Sequence, residues 1–295
     1  MKSYRSIMSV PGLLLMLVTI GSGTDVPKLS FKFHTVNVPG STQTYPSGIN
    51  NAGVMVGSYE DTANAFHGYI LKGKKITTLD VPRGSNTSVG HLTRKGTIRI
   101  VGSYKNSAGR YLGFLYQNGK YMDIPGPKGA IASGANGISD HGEIVGYYTD
   151  SSNVTHGFLL RRGHYTTLTV YMAQITIASG VNDHGKLVYW SVNGLTGVTT
   201  SYLYDIKTQQ STAINVPGAT DSLATDINNL GDVTYQWLDS SGVSHGALLD
   251  GGKYYKFDDP KSVSDYAEGI NDFGAIVGAY EAVSGGPFSG YRATY

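Results

Sequence analysis

The segment Gly137–Asp150, GISDHGEIVGYYTD, with HGFLL following at His156–Leu160, decides the fold. Relatives of it occur six times. Each is an apolar residue, a polar turn ending in Gly, and a short apolar strand. The turn glycines are Gly53, Gly96, Gly142, Gly185, Gly231 and Gly274, at spacings of 43, 46, 43, 46 and 43 residues. A period of about 40–50 residues holding several short strands is the signature of β-propeller blades.

Composition agrees. Charged residues make up only 15% of the 295, with 40 Gly and 22 Tyr. That mixture suits short strands, tight turns and rings packed between sheets. No window sustains the three-and-four apolar spacing of a helix. With no Cys in the chain, disulfides, thiol catalysis and Cys-based metal sites are excluded.

The N-terminus reads as an export signal over residues 1–23. Lys2 and Arg5 are basic, Leu13–Ile20 is apolar but too short to span a bilayer, and Gly21-Ser22-Gly23 offers small residues for cleavage. Its removal leaves 21 basic against 21 acidic residues. The mature chain, 24–295, is therefore neutral, and net charge draws it neither to nucleic acid nor to an anionic membrane. The expected location is extracellular or periplasmic.

Each period divides into four strands. In the third copy these are Ile131–Ile138, Glu143–Tyr148, Gly157–Leu160 and His164–Val170. The fourth strand usually ends in Asp/Asn–apolar–Pro: Asn37-Val38-Pro39, Asp80-Val81-Pro82, Asp123-Ile124-Pro125 and Asn215-Val216-Pro217. Thr169-Val170 lacks the Pro. Proline cannot donate to a ladder, so this strand belongs at the outer edge and the first strand lines the channel. Phe31–Pro39 is a lone fourth strand, and Gly269–Tyr295 holds only three. Their pairing closes the ring and hides its edges. The expected fold is an all-β, six-bladed propeller of four-stranded blades. Alternate copies match best at a spacing of 89, so the ring is three tandem two-blade units over 267 residues.

Gly-Ile-Asn-Asp-x-Gly-x-Ile-Val-Gly-x-Tyr with a following His-Gly-Phe and a [DN]-[VI]-Pro-Gly step resembles the HAF-type extracellular repeats of bacterial secreted proteins. The best copies are Gly269–Tyr280, Gly137–Tyr148, His67-Gly68-Tyr69, His156-Gly157-Phe158 and His245-Gly246-Ala247. The family signature has Ala where these have Gly, and alternate copies lack the His (Leu112-Gly113-Phe114, Tyr202-Leu203-Tyr204, Ser289-Gly290-Tyr291). The resemblance covers the mature chain. It implies an exported bacterial propeller and transfers no catalytic residue.

Two constellations carry candidate chemistry. The first is Asp-x5-His-Gly in alternate copies: Asp61 with His67, Asp150 with His156, Asp239 with His245, again 89 apart. The plain reading is that each Asp caps a turn and the opposite His fixes the hairpin. The functional reading is three equivalent sugar sites, since paired donors and acceptors beside a ring suit a sugar, and Tyr59, Tyr148 and Trp237 precede each Asp by two. Weak sites gain from multiplication. One His and one carboxylate per copy are too few for a metal, and no metal or cofactor is expected. The second constellation is acidic: Asp221, Asp226, Asp265 and Glu268 lie at or before first strands of the last two copies. Of these, Asp226, Asp265 and Glu268 are the weak catalytic candidates, as acid and base at the channel mouth. The plain reading, and the favoured one, is that Asp226 and Asp265 cap turns and solvate the channel mouth.

These readings define three hypotheses. The first is a secreted binding module for extracellular glycans or polysaccharide, multivalent through the Asp/His hairpins. The second is an extracellular polysaccharide hydrolase or lyase using the channel-mouth carboxylates. The third is a scaffold without a small ligand.

Overall fold

The computed structural model describes residues 29–295. The expected signal segment, 1–23, lies outside the described residues. After a lone strand β1 (Lys32–Val36), the chain runs through antiparallel meanders. The first is β2 (Gln43–Ile49), β3 (Met55–Glu60), β4 (Phe66–Lys72) and β5 (Lys75–Leu79). The second is β6 (Ser85–Leu92), β7 (Arg99–Lys105), β8 (Tyr111–Gln117) and β9 (Lys120–Ile124). The third is β10 (Ala132–Ile138), β11 (Ile144–Thr149), β12 (Thr155–Arg161) and β13 (His164–Leu168). The fourth is β14 (Ala173–Val181), β15 (Lys186–Asn193), β16 (Thr199–Asp205) and β17 (Gln210–Ala213). The fifth is β18 (Asp221–Ile227), β19 (Val233–Leu238), β20 (Ser244–Asp250) and β21 (Lys253–Phe257). The last is β22 (Ser264–Ile270), β23 (Ile276–Glu281) and β24 (Phe288–Thr294).

β1 pairs antiparallel with β24, from Lys32↔Thr294 to Val36↔Gly290, and completes the last sheet with the first strand of the chain. The third and fourth meanders join into one eight-stranded sheet through a single parallel bridge, Thr155 to Ile175. The first strands touch in cyclic order, β2 to β6, β10, β14, β18, β22 and back to β2. The result is a closed all-β propeller. Among the described residues no helix is long and apolar enough to cross a membrane.

The repeated motif explains the closure. Gly53 and Gly142 sit at φ 73° and 88° in the polar turn, a conformation that costs a residue with Cβ but not Gly. The first turn residue caps its own turn: Asn50 Oδ1 accepts the N–H groups of Ala52 and Val54. The second reaches the neighbouring unit. Asp140 N–H donates to Asp183, Asp183 to Asn229, Asn229 to Asp272, and Asp272 to Asn51. A turn motif that reads as local thus also stitches unit to unit. Along the second strand, a Cβ on Gly146 would lie 2.1 Å from Gly134 O, beside the bulge between Ala135 and Gly137.

The core fills the spaces between neighbouring sheets. Val56, Leu79 and Val81 of the first unit pack with Val89, Ile100 and Phe114 of the second. At the closure, Phe31 and Phe33 pack with Phe257 and Tyr291. Tyr69, Tyr235, Tyr291, Phe114 and Phe158 are fully buried, and such rings are the largest apolar contributions available to a chain without disulfides.

Candidate functional site

The penultimate residue of the first strand is Gly in four units: Gly48, Gly137, Gly180 and Gly269. Space dictates this. A Cβ on Gly137 would lie 2.7 Å from Ser179 O, and one on Gly269 2.6 Å from Ser47 O. The second and fifth units place His91 and Asp226 there instead, and these two meet, with His91 Nδ1 3.3 Å from Asp226 Oδ1. A third departure joins them. Where other turns carry Asn or Asp, the second unit has Arg94, a residue 5% exposed whose side chain reaches across the ring. Its Nη2 lies 3.0 and 3.1 Å from the Asp226 oxygens, and its Nη1 donates to Val181 O at 3.2 Å. Asp226 also accepts the N–H groups of Ile227 and Ile270. Burial alone would raise the Asp226 carboxyl, but the Arg94 charge and His91 outweigh it and hold it at about 2.

This buried cluster adjoins a cavity of about 570 Å³ lined by first and second strands and by Phe66 at the start of β4. Tyr45, Phe66 and Trp190 give it aromatic walls, while Asn136, Gln236 and Glu268 supply polar groups and His91 joins it to the cluster. Tyr45 is itself held between Phe66 and Phe288, at 6.1 and 5.1 Å between ring centres. The Glu268 carboxyl accepts a hydrogen bond from Gln236. Burial raises it to about 7, against the opposing pull of His91 and of that hydrogen bond. A proton on Glu268 and none on Asp226 is the state these environments favour at mildly acid pH.

The acidic candidates therefore separate. Asp226 and Glu268 lie on the adjacent strands β18 and β22, and Glu268 lines the cavity. Asp265 does not reach the channel, contrary to the sequence expectation. It is 0% exposed within the last unit, where it accepts the Tyr291 hydroxyl and the Asp259 N–H, each at 2.8 Å. Thr44, Thr87 and Ser222 do the same for Val38, Val81 and Val216 in their own units. Burial raises Asp265 to about 7. Its position along the strand alternates with the channel-facing residues, so counting residues from the turn would have placed it inside.

The Asp/His pairs lie outside the cavity, at the hairpins between second and third strands. In each, one Asp oxygen caps the turn: Asp61 Oδ1 accepts from Ala63 and Ala65, Asp150 Oδ1 from Ser152 and Val154, and Asp239 Oδ1 from Ser241 and Val243. The other oxygen meets His Nε2, at 3.3 Å for His67, 2.9 Å for His156 and 3.4 Å for His245. Each imidazole also stacks on its ring partner, Tyr59, Tyr148 or Trp237, at 5.1, 5.0 and 4.6 Å. Trp237 is 7% exposed, with Lys256 Nζ 3.7 Å from its ring centre, which leaves little face for a ligand.

The three pairs are not equivalent. His67 Nδ1 contacts Asp80 at 2.8 Å and His245 Nδ1 contacts Asp258 at 2.9 Å, so both imidazoles are bound at both nitrogens. These carboxylates are the Asp of the strand-ending step, which reads in sequence only as an edge signal. Thr169 takes that place in the third unit. The Asp80 hydrogen bond, with Asp61 assisting, raises the His67 pKa against partial desolvation, while backbone N–H groups, led by Ala65, lower Asp61. Stability from a raised His is present below its unfolded pKa and is lost as pH rises through the folded one. His67→Ala is expected to cost on the order of 1 kcal/mol at pH 5 and less at pH 8, read by urea denaturation. An equal cost at both pH values would contradict the clasp.

No protein-family model matches the chain, and no curated protein sequence does. Solved structures match its fold. The Aleuria aurantia lectin bound to Fucα1-6GlcNAc aligns at TM-score 0.52 and 13% identity, over 85% of this chain and 93% of that one. The SapL1 lectin with alpha methyl fucoside aligns at 0.56 and 8%, over 85% and 93%. The putative TolB of Agrobacterium tumefaciens aligns at 0.57 and 14%, over 86% and 91%. At such identities the likeness is one of fold.

Proposed function

We propose that this chain is an exported, six-bladed β-propeller that binds carbohydrate in its central channel, and that it belongs with the HAF-type repeat proteins. The observation that carries the reading is the convergence of the ring's departures from repetition. His91 and Arg94 of the second unit and Asp226 of the fifth break the pattern and meet beside a cavity whose aromatic walls and convergent amide and carboxyl groups suit a polyhydroxylated ring. The two lectins among the structural neighbours support the ligand class, since both are in complex with fucosides, and the apolar N-terminal run supports export.

Multivalent binding through the Asp/His hairpins is the less supported route. It asks His67 and His245 to exchange a carboxylate for a sugar hydroxyl, whereas the hairpin clasp already satisfies them. Calorimetric titration against a panel of oligosaccharides separates the two. One strong site per chain, weakened at least tenfold by Trp190→Ala, is the expected result. Three sites per chain that vanish in the His67/His156/His245 triple Ala variant would replace the channel by the hairpins.

A hydrolase or lyase activity is the second reading, favoured by the divergent environments of Glu268 and Asp226. Asp226 is committed to Arg94, so Glu268 and His91 would carry proton transfer. Release of new chain ends from a polysaccharide, abolished by Glu268→Gln, is the distinguishing measurement.

A further inference from the structure

We infer that a second carbohydrate subsite, specific for β-gluco-configured pyranose units, lies on the hairpin side of the fourth unit around Tyr171. The connection from β13 to β14 departs from its counterparts at two consecutive positions. Elsewhere the step carries Pro, followed by Gly in three units, as in Val38-Pro39-Gly40-Ser41, where Gly40 has φ 81° and Ser41 N–H bonds to Val38 O. Here Val170-Tyr171-Met172-Ala173 makes the same turn, with Ala173 N–H donating to Val170 O at 3.2 Å. Tyr171 replaces Pro, and Met172 replaces Gly at φ 59°, a conformation disfavoured for a residue with Cβ. Arg83 and Lys261 also stand in place of Gly at this step, but both follow a Pro, and of the two only Arg83 has a positive φ.

Both changes work against stability, and both put side chains on the surface. Tyr171 is 84% exposed, the most exposed of the large apolar residues described, and Met172 is 48% exposed. The ring stands over a cleft of about 310 Å³. Its lining is mixed: Ser191, Asn193, Thr196 and Thr200 supply polar groups, with Val170, Val198 and Tyr202 as walls. Asn193 Oδ1 is used by the Leu195 and Thr196 N–H groups, while its NH2 makes no hydrogen bond among the described residues. Gly194 N–H donates to Met172 O at 2.8 Å, which ties this hairpin tip to the strained turn and fixes the cleft beside the ring. Tyr202 is braced by stacking on Tyr189 at 4.8 Å.

An exposed ring beside hydroxyls and a free amide is a platform for a sugar. The ring takes the axial C–H face, and the polar groups take the equatorial hydroxyls. A β-gluco unit has all its hydroxyls equatorial, so it presents the flattest such face. The ligand class rests on the carbohydrate reading given above, but this cleft does not share residues with the channel.

The test titrates the full chain with cellohexaose. The variants are Trp190→Ala in the channel, Tyr171→Ala in the cleft, and Tyr171→Pro/Met172→Gly, which restores the turn of the other units. Tyr171→Ala and the restored turn are each expected to weaken one class of site at least tenfold, and the restored turn to melt at the same or a higher temperature. Retention of that class in Trp190→Ala supports the cleft even if the channel reading fails. Wild-type affinity in both Tyr171 variants overturns the inference, as does cellohexaose binding that Trp190→Ala removes entirely. Binding of a hydrophobic dye that Tyr171→Ala abolishes, without any sugar binding, would mark an apolar docking patch and overturn it too.

Discussion

Asp226→Asn is expected to lower the unfolding free energy by about 3–5 kcal/mol, the cost of leaving a buried partner charge uncompensated. The side chains are nearly isosteric, so the loss reports charge rather than volume. Arg94 would keep only Asp272 as a charged partner, at 3.7 Å from Nε. Combining Asp226→Asn with Arg94→Met should recover part of the loss, because removing both charges also removes the need to desolvate them. The pH dependence follows from the same geometry. The folded carboxyl titrates at about 2 against 3.8 ordinarily, so its contribution is complete above pH 4 and is lost as pH falls toward 2. Urea denaturation at pH 7 measures the loss. A cost below about 1 kcal/mol would mean that the cross-ring contact does not brace the fold.

The fold was largely legible because propeller closure leaves its trace at fixed intervals. The turn glycines, the edge prolines and the split last sheet each have one physical reason, and each sits where that reason requires. The strands of the third meander differ from the sequence reading only at their ends, and the closure of β1 on β24 follows the expected pairing. The bridge between the third and fourth meanders was not legible. It depends on the path of the chain past Thr169-Val170, where the missing Pro marks a change without stating its geometry.

The site was half legible, and repetition was the reason. Asp226 and Glu268 stand out as acidic intruders in a polar pattern. His91 and Arg94 were as visible as departures from Gly and Asn, but their meaning lies in partners 132 to 135 residues away in the chain, across a ring whose diameter no local spacing encodes. The Asp/His pairs show the converse. Their spacing announced a contact, and the contact exists, yet Asp80 and Asp258 complete it from a strand that pattern reading treated only as an edge.

Glu268→Gln is expected to make the protein more stable, by a margin that opens between about pH 4.5 and 7 and is complete above neutral pH. The folded carboxyl titrates at about 7 and the unfolded one at 4.5. Between these values the folded state holds a proton that the unfolded state has released, so wild-type stability falls as pH rises, by about 1.4 kcal/mol per unit and roughly 3 kcal/mol in all. Gln cannot titrate and retains a hydrogen-bonding partner in Gln236. The variant should therefore match wild type within about 1 kcal/mol at pH 5 and exceed it by roughly 3 kcal/mol at pH 8. Asp265 titrates in the same direction in both proteins and cancels in the difference. Parallel stability curves for the two proteins would show that Glu268 is not strained. If the gap opens with pH while sugar binding weakens in the variant, stability and function pull apart at one residue. That outcome would explain why a carboxyl kept at such a cost faces the cavity where Ser47 or Ser179 stands in other units.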